Sequence, residues 1–546
     1  MALGGGTFIA QNKVLPGTYI NFVSVAQASA TLSDRGIVTM PLALDWGVEN
    51  SVFEVTAGDF QKNSMKIFGY PYTDDALKGL RDLFLYASTL YAYRLNGGGV
   101  KASNTYATAK YSGTRGNSLK IVIQANADDP TKYDVLTYMG TTLLDSQTVA
   151  SAAALVDNDY VTFVKTATLT ITASIPLTGG TNGSISGASY QAYLDKIESY
   201  RYNTMGVVTT DNTIKSLFAS FCKRIRDEVG AKFQLVLHNY TNPDYMGVIS
   251  VKNRCVDGAY TGTIYTSAGV YTVTIGGTLA SGDKITVCGV EVTLTATTAA
   301  SATAAAQAVL AALGTMDEYS IAENAGVITF TEKTGHYGAG QPSVSIDSTN
   351  GTATAATTTA AGSTSGTIYP NEAAGVYWTT GAQGGCAVNK SLQNRKYDGE
   401  FTFDLDYTQN QLIAAIKAGE FTFHSVDGVA RVLEDINTMV TTTDTCGDVF
   451  KDNQTIRVID QIGNDIAVLF STKYLGVVPN DIPGRTALWS DIKTHHEQLQ
   501  EIRAIQNFDE NDVVVEQGMT KKAVVVSDAV EVVNAMGKLY MTVSVS

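Results

Sequence analysis

Residues 205–239 read MGVVTTDNTIKSLFASFCKRIRDEVGAKFQLVLHN. MGVVTT has the composition of a strand, IKSLFASFCKRIRDEVG reads as a helix closed by Gly230, and KFQLVLHN reads as a second strand. A helix at YQAYLDKIESYRY comes before them and a further strand at MGVISVKN comes after. Strands that alternate with helices form a βα series, so the stretch predicts an α/β domain on a largely parallel sheet. KRIRDE at 223–228 reads as a solvated helix face and not as a basic patch.

Outward from this stretch the pattern changes on both sides. At 258 a block rich in Thr, Ala and Gly begins with YTGTIYTSAGVYTVTIGG. It contains one Ala-rich helix, AASATAAAQAVLAALG, and ends near 367, after which mixed α/β sequence resumes at NEAAGVYWTTGAQGGC. The expected organisation is therefore an α/β domain over 188–257 and 368–445 with a β-rich module inserted at 258–367. Upstream, 103–187 carries short alternating runs such as SLKIVIQAN and ATLTITA between turn residues, which predicts a β-sandwich or small barrel. Residues 21–102 read as strands around a helix at DDALKGLRDLFLYAS, capped by Asp74 or Asp75, and form the amino-terminal part of the α/β core. Residues 1–20 form a Gly-rich arm without a core of its own, with Val14, Leu15, Pro16, Gly17 and Tyr19 at a turn into a strand.

In the other direction, EFTFHSVDGVARVLED is a hairpin whose two-residue turn is Asp427-Gly428. Over 446–537 two amphipathic helices are expected. Ile456, Ile459, Ile462, Ile466 and Leu469 line one, and Leu488, Ile492, His495, Leu499 and Ile502 line the other, at 485–506. The chain closes on KLYMTVSVS, 538–546. Leu539, Met541, Val543 and Val545 face one way, and Tyr540, Thr542, Ser544 and Ser546 the other, which is a strand pattern. After Lys538 it has no charge and no proline, although bare strand edges invite aggregation. Such a strand needs something to pair with.

Composition narrows the function classes. At 546 residues the chain holds several domains, and a net charge of -14 without a Lys/Arg stripe argues against nucleic acid. The cysteines, Cys222, Cys255, Cys288, Cys386 and Cys446, are scattered and read as buried thiols of a reducing compartment. The start MALGGGTFIAQNKV has no basic or apolar signal region, and no apolar run is long enough to cross a bilayer, so a soluble, unexported protein with no membrane partner is expected.

Chemistry-bearing motifs are scarce. The histidines His238, His336, His424, His495 and His496 include no pair at zinc-site spacing, and there is no Walker loop, no G-x-S-x-G and no CxxC, so no catalytic, cofactor or metal residues are assigned. GHYGAG at 335–340 fits a dinucleotide fingerprint poorly and reads as a turn. His238 stands at the carboxyl end of a predicted parallel strand, where α/β folds place functional groups. With Asp211 and a serine it would suggest a Ser-His-Asp hydrolase, but only one triad position can be assigned, so it reads as a histidine satisfied by loop backbone. His495 and His496 read as packing or solvated residues, and Trp46, Trp378 and Trp489 as core or interface anchors.

NKVLPGTYINFVSVAQASATLSDRGIVTMPLALDWG and RDLFLYASTLYAYRLNGGG resemble the amino-terminal part of contractile phage tail sheath proteins. AVNKSLQNRKYDGE, EFTFHSVDGVARVLEDINTM, NQTIRVIDQIGNDIAVLF, VPNDIPGRTAL and KLYMTVSVS continue the likeness in order, outside 258–367, a block that many members lack or replace. The resemblance implies a multidomain α/β protein: a subtilisin-like domain without protease activity that carries the inserted, immunoglobulin-like module, a β-sandwich domain, and an α+β carboxyl-terminal domain with arms at both ends. It implies stacked hexameric rings of the chain around a tail tube, with baseplate and tail terminator proteins as further partners, in a virion tail assembled in the bacterial cytoplasm. In such a lattice Leu539, Tyr540, Met541, Thr542, Val543, Ser544 and Val545 would pair between subunits. Lys493, Glu497 and Arg503 on the helix at 485–506 are candidate tube contacts. The sheath of a phage-derived bacteriocin fits equally, whereas a subtilisin-like hydrolase lacks a nucleophile loop after 371 and a secreted adhesin lacks a signal peptide.

Overall fold

Strand β1 (Ile37–Leu42) alternates Val38 and Met40 toward one layer with Thr39 toward the other, and it lies inside a seven-stranded sheet. The other strands are β2 (Val52–Thr56), β3 (Thr89–Arg94), β4 (Thr204–Gly206), β5 (Gln234–His238), β6 (Val248–Val251) and β7 (Glu420–Phe421). In the computed structural model, which describes residues 32–316 and 318–545, their order is β2-β3-β1-β4-β5-β6-β7. Every neighbouring pair is parallel except β2 with β3, and register runs Ile37 to Thr89 on one side of β1 and Val38 to Thr204 on the other.

The sheet is covered on both faces by α1 (Ala57–Phe68), α2 (Lys78–Phe84), α3 (Gly187–Ile197), α4 (Asn212–Arg224) and α5 (Gly375–Gly385). Helices α1, α2 and α5 share one apolar core, and α3 and α4 the other. Strand β5 serves both, with Val236 in the first and Leu235 and Leu237 in the second, and all five of its residues are buried. Helix α5 lies directly on its neighbours: a Cβ at Gly381 would sit 2.1 Å from the Leu83 carbonyl oxygen, and one at Gly384 would sit 2.5 Å from Val38 Cγ1. Gly230, at φ 93°, ends the α4 segment after one wide turn.

Between β3 and α3, residues 107–176 form a four-stranded antiparallel sheet ordered 142–149, 133–139, 119–125, 172–176, plus a pair of short strands, 107–109 and 161–163. Leu119, Ile121, Ile123 and Val135 form its core with Trp46 from the loop after β1. Beyond β6 the chain leaves the sheet through an antiparallel ribbon that pairs Tyr260 with Ile368 and Ser267 with Gly362. The ribbon carries a four-stranded and a three-stranded sheet with a helix, Ala302–Leu313, whose Ala305, Ala306 and Val309 enter a core shared only within this block. GHYGAG lies here, in the turns after Glu332. Its Gly338 and Gly340 amides, with that of Gly269, donate to the Glu332 carboxylate at 3.0, 2.9 and 2.8 Å.

The carboxyl-terminal region holds α6 (Asn453–Leu469), α7 (Ile482–Glu501) and a hairpin of β8 (Val513–Gln517) and β9 (Val524–Asp528). Helix α7 starts earlier than its apolar pattern implies, because Asp481 caps it and Pro483 follows. It stops at Glu501, so Ile502 is 36% exposed and Arg503 stands outside the helix at φ 61°.

Candidate functional site

Helix α6 buries more than its apolar stripe. Ile456 and Leu469 are buried, yet so are Asn453, Gln454, Arg457, Asp460, Gln461 and Asp465. Arg457 and Asp435 are each 1% exposed and 2.7 Å apart. Asp435 also accepts from the Leu392 amide at 2.9 Å, Gln383 Nε2 at 2.7 Å and Asn453 Nδ2 at 3.0 Å. Burial alone would push the Asp435 carboxyl up, but Arg457 and these donors hold it below its ordinary value. Just under one turn further on, Asp460 takes both arms of Arg226 at 2.6 and 2.7 Å. Burial works against that guanidinium, and Asp460 outweighs it, so Arg226 is held above its ordinary value. KRIRDE is thus only partly a solvated face. Lys223, Arg224, Asp227 and Glu228 are exposed, but Arg226 turns inward because α6 presents a carboxylate to it.

The hairpin beside these helices has two strands among the described residues and exposes Val514, Val525 and Val526, with Met519 at its tip. Past it, Val533 donates its amide to the Ala504 carbonyl and Ala535 donates to Gln454 Oε1. From Met536 on, no backbone hydrogen bond joins the tail to the rest of the described residues. Leu539 is 85%, Met541 73%, Val543 67% and Val545 92% exposed, and Tyr540, Thr542 and Ser544 are exposed as well. The residues expected to form the last strand are therefore unpaired among the described residues. Val14, Leu15, Pro16, Gly17 and Tyr19 lie outside the described residues.

On α7, Lys493 is already engaged: Glu510 lies 2.8 Å from its ammonium, Glu497 lies 3.8 Å away, and the Trp489 ring lies beneath it at 5.3 Å. Glu497 and Arg503 are exposed. His495 and His496 are fully buried, and each faces an aspartate, so they are neither solvated nor simple packing residues. Their adjacency hid this, since one of two neighbouring helix positions ordinarily faces solvent.

His238 ends β5, 2% exposed, with Nε2 3.6 Å from Glu372 and neither ring nitrogen hydrogen-bonded. Loop backbone therefore does not satisfy it. Burial pushes its imidazole below the ordinary value against the pull of Glu372. Asp211 is the cap of α4 and accepts from the Thr213 amide at 2.7 Å, and no serine is bonded to His238 among the described residues. No group of three or more His, Cys, Asp or Glu residues is placed to hold a metal ion, and no helix is long and apolar enough to cross a membrane, among the described residues.

The described residues thus combine an ionic, buried helix core, a two-stranded hairpin and an exposed, unpaired apolar tail, with no catalytic or metal constellation among them. Family models agree across the chain. The tail sheath protein Gp18 domain III amino-terminal region matches 35–95, the phage tail sheath protein beta-sandwich domain 97–182, the phage tail sheath protein central domain 183–322 and 302–438, and the phage tail sheath C-terminal domain 446–546. The sheath tail protein DSY3957 of Desulfitobacterium hafniense is 32% identical over 95% of this chain and 97% of its own, with a TM-score of 0.66. Lin1278 of Listeria innocua, also a sheath tail protein, is 25% identical over 92% and 93%, with a TM-score of 0.63. The phage-like element PBSX protein XkdK of Bacillus subtilis is 27% identical over the whole of both chains. The chain belongs to the phage tail sheath family and is a structural subunit of a contractile tail in a virion or phage-like particle.

Proposed function

We propose that this subunit closes its lattice by lending residues 539–545 to a neighbouring copy, where they add a strand to an open hairpin edge such as that of β8–β9. The observation that carries this reading is the tail itself: a segment of alternating apolar residues, exposed along its length, that follows a root tied to Ala504 and Gln454. One side of this seven-residue strand offers roughly three or four backbone hydrogen bonds at about 0.5–1.5 kcal/mol net each. The bonds recur at every junction. Rings stack around a tail tube, a baseplate event releases the extended lattice, and the sheath shortens to drive the tube through the target envelope. The energy resides in two packings of one chain, so no nucleotide site and no enzymatic step are needed.

The strand order of the central sheet supports a subtilisin-like topology, and His238 without a nucleophile supports its use as scaffold. The exposed Glu497 and Arg503 support a weak charged contact with the tube, to which Lys493 contributes only by leaving Glu510. The block at 258–367 stands on the outer surface, where a ribbon-mounted module does not obstruct the ring.

The test compares full-length protein with a deletion of 538–546 and with Val543→Pro, by circular dichroism for folding and electron microscopy for polymers. Proline keeps the length but removes a ladder donor and strains the strand. Both variants are expected to fold and to form no sheath. Normal polymers from both would show that the tail pairs with nothing outside its own subunit.

A further inference from the structure

His495 and His496 form a site of a different kind. His495 Nε2 lies 3.0 Å from Asp465 Oδ2 on α6, His496 Nε2 lies 2.8 Å from Asp528 Oδ2 at the end of β9, and the two Nδ1 atoms face each other at 3.3 Å. The rings are 1% and 0% exposed. Ionised carboxylates only accept, so each Nε2 carries a hydrogen. Two neutral rings would then meet through two lone pairs, and two doubly protonated rings would meet through two N–H groups. The Nδ1 contact is a hydrogen bond only when one of the rings, and not both, carries a further proton.

We propose that the pair is a built site for one cation, a proton shared between the two Nδ1 atoms, and that it latches β9 and the segment at Ser33 onto α6 and α7. Asp465 binds Ser33 through its Oγ at 2.5 Å and its amide at 3.3 Å, and Gln461 Nε2 at 2.7 Å, while Asp528 ends the hairpin strand. The charged groups facing the pair are Asp465 from α6 and Asp528 from β9. Arg35, in the segment before β1, acts on Asp465. On α7 itself, Lys493 is turned to Glu510 and Glu497 is exposed. The Phe508 ring lies edge-on to His496 at 5.1 Å and is apolar.

A metal ion is the rival occupant. Carboxylate-backed imidazoles are common metal ligands, and 3.3 Å is close to the spacing of two nitrogens on a tetrahedral zinc. A structural zinc needs four ligands, however, and no third His, Cys, Asp or Glu joins the pair among the described residues. The donor set therefore fits a proton. A second proton sets N–H against N–H and opens the latch, which frees the hairpin edge.

Imidazole nitrogen spectra of the full chain, labelled with 15N-histidine, test the occupancy directly, since only five histidines contribute. At neutral pH two rings are expected to hold both Nε2 protons and a single Nδ1 proton between them. Two neutral rings, or two fully charged ones, would overturn the proposal. Hydrogen exchange of the 524–528 amides tests the latch. Between pH 7 and pH 5, corrected for intrinsic rates, exchange should rise at least tenfold in the wild type and stay level in His496→Gln, whose amide still donates to Asp528. Equal pH dependence in both proteins would refute the coupling. A melting temperature raised by added zinc and restored by EDTA would assign the site to metal instead.

Discussion

Replacing Asp435 with alanine should loosen α6 more than any surface change in the carboxyl-terminal region. The substitution leaves the Arg457 guanidinium, 1% exposed, without its carboxylate. It also strips an acceptor from the Leu392 amide, Gln383 and Asn453. Breaking a buried pair from one side costs about 3–5 kcal/mol, whereas removing both charges together is often close to neutral. Arg457 keeps Gln383 Oε1 at 2.5 Å and the Lys390 carbonyl at 2.7 Å, which places the expected cost toward the lower figure. The assay is native-state hydrogen exchange along 456–469, because unfolding of a multidomain chain is not two-state. Protection should fall by about 10²- to 10³-fold, each factor of ten being ~1.4 kcal/mol. Asp435→Leu with Arg457→Met should regain most of it, short by about 1–2 kcal/mol for the orphaned donors. The sign with pH follows from the depressed Asp435 value: the folded carboxyl lies below the unfolded one. The contribution is therefore complete above about pH 4 and is lost as the pH falls through the folded value. A single-variant loss below about tenfold, or a double variant no better than the single, would refute the claim that this ion pair welds α6 to the core.

Deleting residues 260–366 and closing the gap with a short turn should leave assembly intact, because the cut ends, Ala259 and Thr367, are the chain neighbours of the cross-strand partners Tyr260 and Ile368 and so already lie close together; electron microscopy of the polymers decides. Glu332→Ala should unfold the tip of that block at a cost of about 2–4 kcal/mol, through loss of the amides of Gly269, Gly338 and Gly340 and of the Tyr271 hydroxyl, without changing sheath formation. Burial pushes the Asp82 carboxyl up to about 6, above its unfolded value, so its contribution is full below about pH 4 and is lost as the pH rises through 6. Asp82→Asn should therefore raise the melting temperature relative to wild type at pH 8 and not at pH 4. Reversing Lys493 and Arg503 to glutamate should weaken co-assembly with tube protein in a pull-down, and unchanged capture would remove this face from the tube contact.

The parallel sheet was legible because strands such as QLVLH carry an unbroken apolar centre, Leu235 to Leu237, and follow a helix stop at Gly230. Helix α1 was not, since its buried positions are Phe60, Ser64 and Phe68 and the middle one is a serine. The apolar alternation of the last residues could be read from the sequence, but the structure leaves 538–545 exposed and forms no strand from them. The polar core of α6 could not, because a period of 3.6 shows which residues are apolar but not that Arg226, Asp435 and His495 wait opposite the polar ones. His238 was placed correctly at the end of its strand, but its unsatisfied nitrogens depend on neighbours more than a hundred residues away in sequence.

The exposed tail has a chemical consequence for a subunit waiting to assemble. Met536 and Met541 are 101% and 73% exposed, and Met541 belongs to the apolar set with Leu539, Val543 and Val545. Oxidation to the sulfoxide converts that thioether into a polar, chiral group in the middle of the strand face. In the proposed pairing a neighbour covers this face and shields the sulfur. Oxidant exposure is therefore recorded before assembly and not after it, and the fraction of competent subunits in a stored pool should track the sulfoxide content at Met541.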